Sequence, residues 1–267
     1  MKNIVLFDMD GTLTEPRQKM GIQMEQQLRN LQEANYEIGI ITGSDMNYVK
    51  QQCSGLFDLS LVDTSRIHFL PCNGTKYILN RETVYERNMR EYMGERLWSR
   101  LMVLLIELQR DLVLQYRIPL TGHFFDYRGS IINWCPIGRN ASLEDRKKWE
   151  ELDIDNKIRK PFLKQLKTLI YEHISHLGDL EASDVELKVK YGGDTSFDIF
   201  PVGWDKTYVL ENTNTFSEYE KIYFIGDRCK QNGNDYELYM HPRTRGIETT
   251  SPQKTIKIVN KILHSNV

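Results

Sequence analysis

The chain has 267 residues, 40% of them hydrophobic, which is long enough to bury a large core in one domain or two. Its 35 basic and 37 acidic residues give a net charge of −2, so composition offers no general electrostatic attraction to nucleic acid or an anionic membrane. The four cysteines, Cys53, Cys72, Cys135 and Cys229, are scattered, which argues against a disulfide framework and a zinc knuckle and favours a reducing compartment.

Residues 4–7 are apolar and lead directly into Asp8 and Asp10, which are followed by Gly11. A continuous apolar run is typical of a strand buried on both faces of a parallel sheet, and Gly11 supplies the turn that leaves it. Ligands of such sheets collect at the carboxyl edge, where the two aspartates would lie and could share a cation. A plain acidic turn is the alternative interpretation, because Asp and Gly are common turn residues.

A β-α-β unit is predicted at the start of the chain. Residues 18–34 have an approximately helical spacing of apolar positions, and residues 36–41 form an apolar strand. Such units build parallel sheets, so Thr42 and Ser44 would lie at the same carboxyl edge and could reach a phosphate. Ser44 and Asp45 can also cap a helix over residues 46–52, and the two roles are compatible.

The middle of the chain predicts a second domain. After a strand at 66–71 and a hairpin turn at Asn73 and Gly74, we predict a long helix over 86–115 and a β-hairpin within 122–135. Helices over 142–152 and 156–176 and strands at 185–189 and 196–200 follow. We therefore expect an α+β domain, residues 84–203, inserted into an α/β domain made of residues 1–83 and 204–267.

The first domain then resumes. Lys206 precedes a helix, and an apolar strand over 221–226 leads into Asp227, which repeats the pattern of the first strand. No signal peptide and no apolar stretch of membrane-spanning length are visible in this sequence, so we expect a cytoplasmic protein that binds no membrane.

The apolar strand followed by Asp-x-Asp-Gly-Thr-Leu-Thr at residues 8–14 resembles the first motif of the haloacid dehalogenase (HAD) superfamily of phosphotransferases. Thr42 matches the second motif, Lys206 matches the lysine of the pattern, and Asp227 with Gly-Asn-Asp at 233–235 matches the fourth motif. The resemblance implies an α/β fold, with a Rossmann-like core, a parallel sheet and an inserted α+β cap domain. It also implies phosphoryl transfer with Mg²⁺ bound by Asp8, Asp10 and Asp227.

Longer strings resemble the eukaryotic-type phosphomannomutases over nearly the whole chain, at residues 14–19, 43–45, 136–139, 196–206 and 242–244. The resemblance implies that Asp8 is the nucleophile and Asp10 the general acid/base, with Thr42 and Lys206 also in the catalytic group. The residues implied to bind substrate are Arg17, Ser44, Arg128, Arg139, Arg146, Ser196 and Asp198. A hexose 1,6-bisphosphate activator, a place in mannose metabolism before GDP-mannose, and a homodimer formed through the cap are implied as well.

The arginines bear on the kind of reaction. A mutase with a bisphosphorylated intermediate must hold a second phosphate far from the nucleophile, and arginine suits this because its planar group bonds phosphate bidentately. Three of them, Arg128, Arg139 and Arg146, lie around the predicted hairpin and the helix after it. The alternative is that all three are solvated surface residues.

Three functions are compatible with these patterns. A hexose phosphomutase accounts for the arginines and the core motifs, whereas a Mg²⁺-dependent sugar-phosphate phosphatase accounts for the core motifs alone. A non-catalytic sensor of sugar phosphates is disfavoured because Asp8, Asp10, Lys206 and Asp227 are all present. The sequence does not distinguish mannose from glucose phosphates, and His241 replaces an Asp of the family's second cation site.

Overall fold

The structure is a computed structural model and describes residues 2–58, 62–175 and 185–264. The chain forms two compact units. The first, which we call the core unit, combines Met1–Arg87 with Gly203–Val267, and the second, the inserted unit, is Asn88–Val202.

In these residues the strands are β1 (Lys2–Phe7), β2 (Tyr36–Ile41), β3 (Ile67–Leu70), β4 (Lys76–Leu79), β5 (Glu82–Glu86), β6 (Phe125–Tyr127), β7 (Ile132–Trp134), β8 (Leu187–Gly192), β9 (Ser196–Pro201), β10 (Tyr219–Gly226) and β11 (Thr244–Glu248). The α-helices are α1 (Ile22–Glu33), α2 (Met46–Gln52), α3 (Ser54–Phe57), α4 (Met89–Gln115), α5 (Leu143–Asn156), α6 (Arg159–Ile170), α7 (Tyr208–Glu211), α8 (Tyr236–Tyr239) and α9 (Pro252–His264). None of these helices has the length and apolar character needed to cross a bilayer.

The sheet of the core unit has, among the described residues, seven strands in the order β11-β10-β1-β2-β3-β4-β5. The strands from β11 to β3 pair in parallel, whereas β4 and β5 are antiparallel. β1 lies between β10 and β2, and its last four residues have no exposed surface, which explains their continuous apolar sequence. The carboxyl ends of these three strands meet at one edge, directly before Asp8, Thr42 and Asp227.

Helices cover both faces of the core sheet. Because alternate residues of a strand point to opposite faces, β1 contributes to two separate apolar clusters. The cluster that includes α1 and α9 contains Val5, Phe7, Leu28, Leu31 and Val259. The cluster that includes α7 and α8 contains Ile4, Leu6, Val209, Phe224 and Leu238. Burial of each such side chain contributes about 1.5–3 kcal/mol to the stability of the folded state. The sheet edge that carries the aspartates is therefore supported by apolar clusters on both faces.

The inserted unit contains an antiparallel sheet in the order β6-β7-β9-β8. On one face Trp134 and Phe197 are fully buried and stack with ring centroids 4.9 Å apart. The indole Nε1 of Trp134 donates a hydrogen bond to Oε1 of Gln109 on α4 at 2.6 Å. Helix α4 therefore covers this apolar face, and the alternate residues of the strands carry polar side chains on the other face.

Most predicted elements are confirmed. β2 and α2 have the predicted bounds, and the predicted long helix begins at Met89, three residues after its predicted start, where the side chain of Asn88 caps it. The helix predicted over 156–176 is α6 followed by a π-helical turn at Tyr171–Ser175, and residue 176 lies outside the described residues. The domain boundaries predicted at 83/84 and 203/204 differ from the observed division at 87/88 and 202/203, because β5 extends the core sheet to Glu86.

Candidate active site

Asp8 is the first residue after β1 and is 4% exposed. Its backbone N–H donates to the carbonyl of Ile225 on β10 at 2.9 Å, which fixes the residue against the neighbouring strand. The chain then turns sharply, because the carbonyl of Met9 accepts hydrogen bonds from the backbone N–H groups of residues 12–14. The acidic turn that the sequence offered as the alternative interpretation is therefore present. It also places a buried carboxylate at the sheet edge, so the two interpretations are compatible.

Lys206 is completely buried and lies between two carboxylates. Its Nζ donates to Oδ1 of Asp235 at 2.6 Å and also to Oδ1 of Asp8. Burial by itself lowers the pKa of a lysine, but the charges of Asp235 and Asp8 outweigh this and raise the pKa of Lys206 above its ordinary value. The side chain is therefore an ammonium group beside Asp8, where it can stabilise a transferring phosphoryl group.

Asp235 organises the loop that follows β10. Its side chain has no exposed surface, and its Oδ2 accepts hydrogen bonds from the backbone N–H groups of Asp227 at 3.1 Å and Arg228 at 3.0 Å. The same carboxylate thus holds both the Asp227 loop and the ammonium of Lys206. Asp235 was predicted as part of the fourth motif but not as a site residue.

Asp8, Asp227 and Asp235 form an acidic cluster in which one carboxylate oxygen from each residue lies within 4.8 Å of the other two. Burial, followed by the charge of Asp235, raises the pKa of Asp227 to about 6, while Arg228 opposes the increase. For Asp8, burial and the same charge raise the pKa well above its usual range, although Lys206 opposes them. With three carboxylates and the single ammonium of Lys206, the cluster has an excess of negative charge when its acids are ionised.

A divalent cation would balance this charge. Hard carboxylate oxygens are the donors that Mg²⁺ prefers, so the cluster fits a magnesium site. Gly11 has a φ of 81°, and a Cβ at this position would lie only 2.4 Å from Oδ2 of Asp227. A glycine here leaves that oxygen room for a ligand.

The carboxylate of Asp10 is not part of this cluster. Its Oδ1 accepts a hydrogen bond from the hydroxyl of Tyr48 at 2.9 Å and a longer one from the backbone N–H of Arg17 at 3.4 Å. Burial, followed by the charge of Asp10, raises the pKa of Tyr48, so the phenol keeps its proton and is the donor. The predicted metal ligands were Asp8, Asp10 and Asp227, whereas the carboxylate cluster in the structure contains Asp235 in place of Asp10.

Thr42 and Ser44 form a tight turn at the same sheet edge. The backbone N–H of Ser44 donates to Oγ1 of Thr42 at 3.2 Å, and Thr42 itself is 3% exposed. Oδ1 of Asp45 accepts from the backbone N–H of Tyr48 at 2.8 Å, which confirms the predicted helix cap. Arg17, the remaining predicted residue of the core unit, is exposed and has a φ of 63°.

In the inserted unit, two of the predicted arginines meet at Asp126. Nε of Arg128 donates to Oδ2 of Asp126 at 2.9 Å, and Nε of Arg139 lies 3.5 Å from the same oxygen. The side chain of Arg128 is only 6% exposed. Nη1 of Arg139 also donates to Oδ1 of Asn133 at 3.2 Å. These two arginines are therefore partners in one polar network, in contrast to the alternative of separate solvated side chains.

A row of polar side chains crosses the polar face of the inserted sheet. Asp126, Asn133, Asp198 and Lys190 are direct partners on neighbouring strands. Nδ2 of Asn133 donates to Oδ1 of Asp198 at 2.6 Å, and Lys190 is 9% exposed. Asp198 is a predicted site residue, whereas the other three were not identified from the sequence.

Arg146, the third predicted arginine, lies near the first residue of β9. Its Nη1 donates to Oγ1 of Thr195 at 2.9 Å, and this oxygen is 3.3 Å from Oγ of Ser196. Ser196 is two residues before Asp198 in β9, so both predicted residues lie on the polar face of the sheet. The inserted unit thus brings Ser196 and Asp198 to one face, and Thr195 links Arg146 to Ser196.

Comparison with known proteins decides the family. The family model described as eukaryotic phosphomannomutase matches residues 24–265. The chain belongs to the eukaryotic phosphomannomutase family. It is 33% identical over 260 residues to a phosphomannomutase of Drosophila melanogaster, with 97% of this chain and 95% of the relative covered. It is 32% identical to a phosphomannomutase of Saccharomyces cerevisiae, with 98% and 95% covered.

Solved structures show the same fold at lower sequence identity. The IMP-bound IMP-nucleotidase of Plasmodium falciparum has a TM-score of 0.62 and 14% identity, with 98% of this chain and 68% of that chain covered. The trehalose-6-phosphate phosphatase of Aspergillus fumigatus has a TM-score of 0.52 and 13% identity, with 98% and 93% covered. These HAD-fold neighbours confirm a Rossmann-like core with an inserted α+β unit.

His241 stands where the phosphomannomutase pattern has an Asp of a second cation site. Both nitrogens of its ring are engaged, because Nε2 lies 2.5 Å from Oε1 of Glu211 and Nδ1 accepts from the backbone N–H of Arg243 at 3.2 Å. The side chain is 7% exposed. An imidazole bonded in this way does not fit a cation ligand set, so we assign no metal to this position.

Proposed function

We propose that this protein interconverts mannose 1-phosphate and mannose 6-phosphate. The observation that carries the proposal is the buried Asp8 carboxylate held against the ammonium of Lys206 at the carboxyl edge of the core sheet. This pair offers a nucleophile together with a fixed positive charge for the phosphoryl group. Membership of the phosphomannomutase family specifies the substrate.

In the proposed reaction, an oxygen of Asp8 forms a bond to phosphorus while the bond from phosphorus to the sugar oxygen breaks. Asp10 donates a proton to the departing sugar oxygen, and an aspartyl phosphate remains on Asp8. The reverse step transfers the phosphoryl group to a hydroxyl of a hexose monophosphate, and Asp10 takes the hydroxyl proton. The resulting hexose 1,6-bisphosphate turns over, and its other phosphate returns to Asp8.

The remaining residues of the core unit bind and orient the phosphate. The hydroxyls of Thr42 and Ser44 lie at the sheet edge, and Lys206 stabilises the negative charge that develops during transfer. Mg²⁺ bound at the acidic cluster would supply further neutralisation of phosphate charge. Arg17 would contact substrate from the loop after Asp10.

The inserted unit would hold the second phosphate and the sugar. Arg128, Arg139 and Arg146 supply guanidinium groups for the phosphate, and Ser196 and Asp198 lie on the same sheet face for the sugar hydroxyls. A phosphatase needs to bind only the phosphate that it removes. The three arginines therefore support a mutase over a phosphatase.

The wider context follows from the same assignment. We infer that a hexose 1,6-bisphosphate primes the enzyme by phosphorylating Asp8, and that the product supplies GDP-mannose synthesis in the cytoplasm. We also infer a homodimer formed through the inserted unit, in which α4 has exposed apolar side chains. These are Tyr92, Val103, Ile106 and Leu114.

A direct test is ³¹P NMR of mannose 1-phosphate incubated with the protein, Mg²⁺ and a trace of hexose 1,6-bisphosphate. We expect the resonance of the 6-phosphate to appear, and no conversion with an Asp8→Asn variant, because the amide cannot act as the nucleophile. Release of inorganic phosphate in place of the 6-phosphate would overturn the proposal in favour of a sugar-phosphate phosphatase.

A further inference from the structure

Tyr48 connects helix α2 to the loop that follows β1. Its hydroxyl donates to Oδ1 of Asp10 at 2.9 Å and accepts from the backbone N–H of Arg17 at 3.2 Å. The same N–H lies 3.4 Å from Oδ1 of Asp10, so the three groups form a closed set of hydrogen bonds. Tyr48 belongs to none of the motifs that identify the site.

The position of the Tyr48 ring is well determined. Its backbone N–H donates a hydrogen bond to the capping carboxylate of Asp45 at 2.8 Å, which fixes the first turn of α2. The ring packs against the apolar cluster that contains Val49 and Phe7. Because the backbone of Tyr48 is fixed by the helix cap and its ring by apolar packing, the side chain has little conformational freedom, and its hydroxyl is a rigid hydrogen-bond donor.

The hydrogen bonds fall on one oxygen of Asp10. Both the Tyr48 hydroxyl and the backbone N–H of Arg17 donate hydrogen bonds to Oδ1. Oδ2 is therefore the oxygen that can exchange a proton with substrate. A carboxylate without such a tether could rotate about its terminal torsion, which is broad and roughly two-fold. Proton transfer requires that an oxygen of Asp10 lie within hydrogen-bond distance of the sugar oxygen. This rotation would therefore reduce the fraction of enzyme molecules in which Asp10 can transfer its proton.

We propose that Tyr48 is a positioning residue that holds Asp10 by Oδ1 and so directs Oδ2 to the sugar oxygen. The inference rests on the proposed function, in which Asp10 is the general acid/base. In the step concerned, the bond from Asp8 to phosphorus forms, the bond from phosphorus to the sugar oxygen breaks, and the proton moves from Oδ2 of Asp10 to that oxygen. Tyr48 keeps its own proton throughout.

The test compares two phosphoryl donors in rapid-quench measurements of Asp8 phosphorylation by the full-length protein with Mg²⁺. A hexose 1,6-bisphosphate has a poor leaving group that needs a proton, whereas 4-nitrophenyl phosphate has a leaving group stable without one. Tyr48→Phe keeps the ring and removes the hydroxyl. We expect it to slow the limiting rate with the bisphosphate about 10- to 100-fold and to change the rate with 4-nitrophenyl phosphate less than about twofold.

Three further variants separate the possible explanations. Tyr77→Phe removes a hydroxyl bonded to buried His68 at 2.9 Å and serves as the matched control, for which we expect no preference between donors. Asp10→Asn should show the same preference more strongly, and Tyr48→Phe added to Asp10→Asn should cause no further loss, since the two act as a unit.

Each outcome has a distinct meaning. Equal losses on both donors for Tyr48→Phe, or no loss on either, would overturn the positioning role. A preference in Asp10→Asn without one in Tyr48→Phe would overturn the inference and leave the proposed function intact. Absence of a preference in Asp10→Asn itself would instead overturn the acid/base role of Asp10 in the proposed function.

Discussion

Among single residues, Lys206 holds the site together electrostatically. Its ammonium lies between Asp8 and Asp235, and all three groups are buried. In Lys206→Met, two carboxylates would remain buried without their cation, and breaking a buried ion pair costs about 3–5 kcal/mol. We expect that loss in the free energy of unfolding, measured by urea titration without divalent cations. Lys257→Met, at an exposed position on α9, should change it by less than about 0.5 kcal/mol, and an equal effect of both variants would contradict the argument.

Residues differ in how far the sequence predicts their roles. The position of Asp8 at a sheet edge could be predicted from the adjacent sequence alone, because Asp8 directly follows an apolar run. Lys206 was identified through the family resemblance, since its contact with Asp8 spans 198 residues. The contact of Tyr48 with Asp10 was not predicted, because it depends on the path of the loop through Arg17, which no periodicity encodes.

At the scale of elements, the central strands were predicted and the edges of the sheet were not. β1 and β2 are buried on both faces and therefore read as apolar runs. β5 and β11 are the two edge strands of the described sheet; both contain charged residues, and none of the residues in either strand is buried. Charge on an edge prevents pairing with other chains, and it also removes the pattern by which a strand is identified.

The amino-terminal side of the core sheet contains a polar network that predicts a pH effect. Nε2 of His68 on β3 lies 2.8 Å from Oε2 of Glu37 on β2, and Tyr77 on β4 bonds Nδ1. Burial lowers the pKa of His68, although Glu37 opposes the decrease. The unfolded chain therefore takes up a proton at a pH where folded His68 does not, and the contribution of His68 to the free energy of unfolding should fall as the pH drops below about 6.5.

Urea unfolding between pH 8 and pH 5 measures this effect. We expect the free energy of unfolding to fall less steeply on acidification in His68→Phe than in the wild-type protein. Asp8 and Asp227, whose raised pKa values act in the opposite direction, are common to both proteins and cancel in the comparison. Equal slopes would show that His68 does not contribute.

On the scale of the whole molecule, the proposed function divides phosphoryl chemistry and substrate selection between the two units. The proposed nucleophile Asp8, Lys206 and the acidic cluster belong to the core unit, whereas the arginines proposed to bind the distal phosphate belong to the inserted unit. The inserted unit has its own apolar interior, including the fully buried Trp134 and Trp149. A change on its polar face should therefore alter substrate binding without disturbing the nucleophile.

Arg139→Ala tests this division. The guanidinium lies near Asp126 and donates to Asn133, so its loss removes a charged donor proposed for the distal phosphate. A hydrogen bond to a charged group contributes about 1.5–3 kcal/mol, which corresponds to a decrease of about 10- to 100-fold in kcat/KM for mannose 1-phosphate. Hydrolysis of 4-nitrophenyl phosphate, which has no second phosphate, should change less than about threefold. Arg100→Ala, at an exposed position on α4, is the matched control, and equal losses on both substrates for Arg139→Ala would exclude the distal role.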